Sequence, residues 1–220
     1  GQLVMDNATI SADTGTSNGA LLAVDIAVTG SVSISSNQAP AITARATDTG
    51  NTGEIRLAAS KLDVSFGFPD FIALIDSHTS GAGNAGAVTL AADQLTAALS
   101  NPSLTGVFIH SGTGGTGNGG DVTIKVGRGE FRAASIYTGD SLLSGTGNAG
   151  SLTVTGLHSM ADSLLIDGLV DGVPLGITWD TVSLNAKGGA ITLEAHDMQI
   201  RNGAFMDNTS LLGDNPLTIR

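Results

Sequence analysis

The sequence contains no cysteine, which excludes a disulfide scaffold, a thiolate metal site and a cysteine nucleophile. It is also poor in aromatic residues, at 4%, and in charged residues, at 13%, about half of the ~25% that is usual for globular domains. The surface must therefore consist largely of Ser, Thr, Asn and Gly. This composition favours short strands joined by tight turns and disfavours long helices.

Basic residues are scarce as well: 9 Lys and Arg stand against 20 Asp and Glu, for a formal net charge of −11. A nucleic-acid-binding surface needs clustered Lys and Arg, and so does an electrostatic membrane anchor. No apolar run reaches the ~18 residues that a transmembrane helix requires. We therefore expect no nucleic-acid partner and no insertion into a membrane.

Glycine, by contrast, is abundant, with 31 residues. Much of it lies in a repeated motif in which a glycine-rich turn leads into a strand of alternating apolar and small polar residues. A chain that repeats one turn-and-strand motif is typically built by stacking equivalent units. Close copies occupy residues 81–92, 117–124 and 147–154, and looser copies occupy residues 17–24, 50–57 and 187–193.

The asparagine of the turn sets the period of the repeat, with intervals of 33, 33, 34 and 30 residues. The residues four and six places after it are apolar and the residue between them is usually polar, which indicates a strand with one face in the core. A solenoid of helix pairs has a similar period, but Gly and Thr interrupt every window that could be helical. The asparagines are Asn18, Asn51, Asn84, Asn118 and Asn148. The first core positions are Leu22, Ile55, Val88, Val122 and Leu152, and the second are Val24, Leu57, Leu90, Ile124 and Val154.

Two more strands follow in each unit, the second exemplified by Leu62 and Val64. Three strands per coil, with equivalent residues one coil apart, predict an all-β parallel β-helix of about six coils, with residues 1–220 as a single segment. Gly and Asn are expected at the corners because they tolerate positive φ. The third strand is placed at Ile42, Ile75 and Phe108, with Tyr137 and Ile177 in comparable positions.

Two features interrupt the repeat. The unit after Asn148 is too long, which predicts a loop insertion over residues 161–177, with the surplus in residues 167–176 projecting from one face. Neither end shows the polar or helical cap that usually closes a solenoid. We therefore expect the chain to be a segment of a longer rod.

The motif at 144–154, Ser-Gly-Thr-Gly-Asn-Ala-Gly-Ser-Leu-Thr-Val, resembles the repeats of filamentous haemagglutinin-like exoproteins, the secreted partners of bacterial two-partner secretion systems, and residues 161–177 resemble an insert of such proteins. The likeness covers essentially the whole chain. It implies a right-handed parallel β-helix, export through an outer-membrane secretion pore, and display at the bacterial surface or release as an adhesin. The secretion domain of the family is not visible, because Asn101-Pro and Asn215-Pro lie outside that context.

Several residues are candidates for chemistry, and each has a plainer interpretation as a solvated or packed side chain. Asp121 follows a glycine-rich turn similar to a calcium-binding nonapeptide, but Ca²⁺ needs six to eight oxygens. His78 and His110 both precede the third turn, where a stacked pair could hold a metal. The acids nearest to a glycosidase or lyase arrangement are Asp76 with His78, and Asp162, Asp167 and Asp171.

The sequence assigns no catalytic residue, no cofactor and no metal ligand with enough support to name one. We expect a non-enzymatic structural or adhesive rod, secreted or at the cell surface, with self-association end to end or laterally and host or matrix glycans as partners. The alternatives are a polysaccharide lyase or hydrolase on the same coil, and a glycan-binding module. The aromatic residues that could form a binding stripe or pack in the core are Phe66, Phe68, Phe71, Phe108, Tyr137 and Trp179.

Overall fold

The computed structural model describes residues 1–38, 40–68, 72–104, 106–139, 145–183, 185–208, 210, 213 and 215–220. These residues contain no helix and form parallel sheets stacked as a β-solenoid of about six turns, which confirms the predicted parallel β-helix. No helix in this part of the chain could therefore span a bilayer.

The strands of the described residues, in chain order, are β1 (Gln2–Asp6), β2 (Ile10–Ser11), β3 (Leu22–Ser36), β4 (Ile42–Thr43), β5 (Glu54–Phe66), β6 (Ala73–Asp76), β7 (Val88–Leu99), β8 (Val107–His110), β9 (Val122–Arg132), β10 (Ser135–Tyr137), β11 (Leu152–Thr155), β12 (Ala161–Asp167), β13 (Leu169–Val170), β14 (Val173–Pro174), β15 (Ile177–Asp180), β16 (Ile191–Leu193), β17 (Ala195–Arg201), β18 (Ala204–Asp207) and β19 (Leu217–Ile219).

Two parallel sheets run the length of the rod. The larger has the order β1-β3-β5-β7-β9-β11-β16-β19, with β12 between β9 and β17, and the smaller has the order β18-β15-β10-β8-β6-β4-β2. The first two strands expected in each coil form one continuous strand in β3, β5, β7 and β9. They are separate in the last coils, as β11 with β12 and as β16 with β17.

The predicted stacking of core residues is confirmed through the middle of the rod. Val88 pairs with Val122, and Val122 pairs with Leu152, so the three side chains form one column. All three are fully buried. The first coil departs from the expected register, because an irregularity after Leu22 aligns it with Glu54 and aligns Val24 with Ile55. The placement of Leu22 as an inward core position was therefore wrong.

The third strand also differs from prediction by one or two residues. Ile75 pairs with Ile109, and not with Phe108, because β6 and β8 align at an interval of 34 residues and not 33. Further along, Ile136 pairs with Trp179. Tyr137 and Ile177 are therefore not the equivalents of Ile75.

The glycines of the repeated motif are explained by close approach of consecutive coils. A Cβ on Gly86 would lie 2.2 Å from the carbonyl oxygen of Gly53, and a Cβ on Gly120 would lie 2.3 Å from that of Gly86. None of the motif glycines is among the described residues with positive φ. Positive φ was therefore the wrong reason for glycine at these corners: the stacked backbones leave no room for a side chain.

The core is lined by rows of aliphatic side chains and by a row of four neighbouring aromatic rings. The ring centroids of Phe66 and Phe108 are 6.0 Å apart, those of Phe108 and Phe131 are 6.2 Å apart, and those of Phe131 and Trp179 are 5.1 Å apart. All four side chains are fully buried. These rings therefore fill the interior of the coil and do not line a surface stripe.

The insertion expected over residues 161–177 is shorter in the structure. Residues 161–167 form β12, which pairs in parallel with β9 and β17 and belongs to the coil. Only β13 and β14 leave it, as an antiparallel hairpin. Its turn residues Asp171 and Gly172 have φ values of 48° and 78°, the left-handed pair that a two-residue hairpin turn requires.

Candidate functional site

The most concentrated group of titratable side chains in the described part of the chain lies at the end of β6. Asp76 ends β6 and pairs across the sheet with His110, which ends β8. His78 follows two residues after Asp76, immediately before the bridge between Thr79 and Thr113. We call Arg45, Asp76, His78 and His110 the corner cluster.

The two oxygens of Asp76 face different partners. Arg45 approaches Oδ2 with both Nε and Nη2, each at 2.6 Å. Oδ1 lies 3.2 Å from His110 Nδ1 and 3.5 Å from His78 Nδ1. The guanidinium therefore holds Oδ2 and leaves Oδ1 to the two imidazoles.

The environment of Asp76 holds it ionised. Its side chain is only 6% exposed, and burial by itself raises the pKa of a carboxyl group. The hydrogen bond from His110 and the close approach of the His78 imidazole outweigh that burial, so the pKa of Asp76 lies well below its ordinary value. The cluster thus holds a buried carboxylate that is negatively charged at any physiological pH.

Both imidazoles have a ring nitrogen without a hydrogen bond. His78 Nδ1 and His110 Nε2 are buried and have no hydrogen-bond partner among the described residues. The rings stack, with centroids 5.3 Å apart. A Cβ on Gly112 would lie 2.6 Å from His110 Nε2, so the absence of a side chain at position 112 makes room for that ring.

The sequence predicted part of this cluster. It placed His78 and His110 on one edge and associated Asp76 with His78, and the structure brings all three together. It missed Arg45, because this residue reaches Asp76 from the neighbouring coil and no local motif links the two. Their separation of 31 residues, about one period, was the only available signal.

The acids near the insertion do not form a comparable group. Asp167 is buried, accepting hydrogen bonds from Arg201 Nε at 3.0 Å and from Asn202 Nδ2 at 2.7 Å. Burial raises the pKa of Asp167, but the hydrogen bonds from Asn202 and Arg201 outweigh it and lower that pKa overall. Asp162 and Asp171 are exposed. Asp167 is thus engaged in packing the coil.

A pair of acids that the sequence did not single out lies in the smaller sheet. Asp180 in β15 is the register partner of Asp207 in β18 on one side and of Tyr137 in β10 on the other. Burial, with a further contribution from the charge of Asp207, raises the pKa of Asp180 to about 6. Burial also raises the pKa of Tyr137.

The remaining candidates have structural or solvent-exposed roles. Asp121 Oδ1 accepts a hydrogen bond from the backbone N–H of Ser151 at 2.8 Å and so links two coils. Phe68 is fully buried, and Phe71 lies outside the described residues. His158 and His196 are exposed and far from the corner cluster in sequence.

The turn asparagines form a continuous polar ladder along one edge. Asn84 Oδ1 accepts hydrogen bonds from the backbone N–H of Asn118 at 2.8 Å and from its Nδ2 at 3.2 Å. The same arrangement joins Asn18 to Asn51 and Asn118 to Asn148. Each side chain therefore satisfies the backbone of the following coil, which explains why asparagine recurs at this position.

The outward positions of the larger sheet form a flat row of hydroxyl groups. Thr89, Thr123, Thr153, Thr192 and Thr218 are register partners on successive strands. All of them are half-buried. The row gives the rod a regular polar face on which hydroxyls repeat at the ~4.8 Å spacing of paired strands.

Large exposed apolar side chains concentrate at the two ends of the stack. Val4 in β1 is 61% exposed, and Phe205 in β18 and Leu217 in β19 are 54% and 49% exposed. Strands β1 and β19 each have one pairing neighbour among the described residues. Unpaired strand edges with apolar side chains readily accept a further strand.

Comparisons of the chain with known protein families, with curated proteins and with solved structures found no match.

Proposed function

We propose that this chain forms a structural, adhesive rod of a secreted bacterial surface protein of the filamentous haemagglutinin-like kind, which is exported through an outer-membrane pore and acts by presenting regular polar faces for adhesion. The observation that carries the proposal is the uninterrupted column of equivalent residues, exemplified by Val88, Val122 and Leu152. Stacking of this kind builds a long surface from a short repeat. The hydroxyl row and the asparagine ladder give that surface its polar character.

The ends of the stack support a second element of the proposal, which is end-to-end association with a second copy of this chain. The outer edges of β1 and β19 present unpaired backbone groups beside exposed Val4 and Leu217. Stacking one end on the other would place β1 on β17, β2 on β18 and the first half of β3 on β19, which would extend both sheets without changing their direction. The result is an extracellular filament made of stacked copies.

Lysine substitutions at the ends test the association. Lysine on an edge strand blocks pairing because its charge cannot be buried against another strand. We expect the wild-type chain to form elongated assemblies with rising concentration, seen by sedimentation velocity and electron microscopy. Val4→Lys/Leu217→Lys should remain as single rods.

A matched control makes the same chemical change elsewhere. Val173 and Leu175, in the hairpin region, are 43% and 39% exposed, and Val173→Lys/Leu175→Lys should assemble like the wild type. A wild-type chain that stays monomeric throughout, or a hairpin variant that loses assembly to the same extent as the end variant, would contradict end-to-end stacking.

A groove on the outer side of the larger sheet favours glycan binding as a second candidate function. Its volume is about 380 Å³, and its lining includes Gln94, Arg128, Glu130 and Gln199. Amide and charged side chains of this kind can hydrogen-bond to sugar hydroxyls. Binding on a glycan array that is lost in Gln94→Ala/Gln199→Ala would support this function, and an array without signal would remove it.

A further inference from the structure

We propose that Asp76, His78 and His110 bind a divalent transition-metal ion, with Zn²⁺ as the best fit, through one carboxylate oxygen and one nitrogen of each imidazole. This inference goes beyond the rod function, because stacking and adhesion require no metal. It rests on the geometry of the corner cluster and on the unsatisfied Nδ1 of His78.

The distances fit a tetrahedral ion. Zinc binds histidine nitrogen and carboxylate oxygen at roughly 2.0–2.2 Å, so that two ligand atoms of a tetrahedral site are about 3.3–3.5 Å apart. Asp76 Oδ1 lies 3.2 Å from His110 Nδ1 and 3.5 Å from His78 Nδ1. One potential ligand atom of each of the three residues lies within 4.8 Å of the other two.

The unsatisfied nitrogen of His78 is the second, independent observation. A buried polar atom without a hydrogen bond is costly and calls for a partner. His78 Nδ1 is buried and has none among the described residues, although it points towards Asp76 Oδ1. A metal ion between the two would satisfy this nitrogen. Any proton on Nδ1 of either imidazole would be released to solvent when the metal binds.

The surroundings have the character of a built site. Arg45 contacts only Oδ2 of Asp76 and therefore orients Oδ1 towards the imidazoles, as outer-shell partners orient metal ligands. The His78 side chain is 31% exposed, which provides a path for an ion and for a water molecule as a fourth ligand.

The donor set selects among metals. Two imidazoles and one carboxylate suit Zn²⁺, Co²⁺, Ni²⁺ or Cu²⁺, whereas Ca²⁺ and Mg²⁺ prefer shells of oxygen ligands. The ion would join two consecutive coils, because Asp76 and His78 lie one coil before His110. The site would thus clamp the stack at one corner.

The test is a calorimetric titration of the chelator-treated full chain with ZnCl₂. The chain has 4 His, which allows two double variants of equal histidine content. We expect one ion per chain for the wild type and for His158→Ala/His196→Ala. His78→Gln/His110→Gln should bind at least tenfold more weakly, and CaCl₂ should give no heat at this site.

A second measurement does not depend on the folding of any variant. In the wild-type chain, the imidazole NMR signals of His78 and His110 should shift on addition of one equivalent of Zn²⁺, while those of His158 and His196 stay unchanged. Absence of stoichiometric binding, binding unaffected by His78→Gln/His110→Gln, or shifts confined to the exposed histidines would overturn the proposal.

Discussion

Asp76 and Asp167 are two buried aspartates, each at the end of a strand and each paired with arginine, yet their surroundings differ in one respect. Both oxygens of Asp167 are fully engaged, Oδ1 by Asn202 and the backbone of Leu169, and Oδ2 by Arg201. Oδ2 of Asp76 is likewise held by arginine, whereas Oδ1 contacts the Nδ1 atoms of two imidazoles, His110 at 3.2 Å and His78 at 3.5 Å. The comparison separates a carboxylate that closes a structural network from one whose neighbours are themselves potential metal ligands.

The largest loss of stability is expected from a substitution in the hydrogen-bond network around Asp167. Asp167→Ala removes a carboxylate that is 1% exposed and leaves the donors of Arg201 and Asn202 without their acceptor. Breaking a buried ion pair by removing one partner costs about 3–5 kcal/mol, and we expect about 3 kcal/mol here because Arg201 is half-exposed. Urea unfolding measures the loss. Zn²⁺ affinity of the folded variant should be unchanged, and a variant as stable as the wild type would remove the distinction between the two aspartates.

Asp76→Asn should destabilise the chain less than Asp167→Ala does, and it should weaken Zn²⁺ binding. Arg45 is 37% exposed and can regain water, so we expect a loss of about 2 kcal/mol at pH 7. Because the pKa of Asp76 is lowered on folding, its stabilising contribution is present above the unfolded pKa of about 4 and is lost as pH falls below that value.

The difference between wild type and Asp76→Asn should therefore shrink in acid. Urea midpoints measured from pH 7 down to pH 3 give this dependence. A difference that grows as pH falls would contradict the assignment of a charged, stabilising Asp76.

Asp180 extends the comparison of Asp76 with Asp167 to an acid that has no arginine among the hydrogen-bond partners described for it, and Asp180→Asn tests its role. The pKa of Asp180 is raised to about 6 in the folded chain, so the folded state holds a proton that the unfolded state releases between about pH 4 and 6. Wild-type stability should fall as pH rises through this window and should not recover above it.

Asp180→Asn removes the free-energy cost of ionising a partly buried carboxyl group, and it retains an oxygen that accepts the hydrogen bond from the Val182 N–H. We expect Asp180→Asn to be more stable than the wild type at pH 8 by about 1–2 kcal/mol, a value reduced for partial solvent screening, and to match it at pH 3. Thermal unfolding at the two pH values measures this. Equal stability at pH 8 would show that Asp180 titrates normally.

The smallest effect is expected in the uncharged asparagine ladder. Asn84→Ala removes the acceptor of two hydrogen bonds from Asn118, but the site is exposed and water can replace it. We expect a loss of about 1 kcal/mol, measured by urea unfolding. A loss as large as that of Asp167→Ala would mean that the ladder, and not the buried network, holds the coils together.

The regular part of the fold was predictable because its signal repeats. Val88, Val122 and Leu152 follow the same turn at nearly the same interval, so one motif supports the placement of the next. The prediction failed where one residue changes the interval between coils, by an irregularity after Leu22 and by a coil one residue longer before Phe108, because such a change leaves the hydrophobic pattern almost intact. Residues 161–167 were mistaken for loop because the extra length of their coil lies elsewhere, in the turn before β12 and in the hairpin after it.

The candidate site was only partly predictable for a related reason. His78 and His110 hold similar positions relative to the third turn, and the repeat therefore predicted that they lie on one edge. Arg45 and Asp76 are adjacent only because coils stack, and Asp180 and Asp207 are separated by an irregular unit. The signal for the second pair was the recurrence of an apolar residue before each acid, in Trp179-Asp180 and Met206-Asp207.

The most direct test of the account is the distance between two residues on one row of the stack, measured by double electron–electron resonance between two spin labels. The absence of cysteine allows unique labelling of Arg56→Cys with Thr218→Cys, which lie five register steps apart along one row. Coils stacked at about 4.8 Å predict a narrow distribution near 24 Å. A broad distribution centred well beyond that distance would contradict the coil, and with it the proposed rod and metal site.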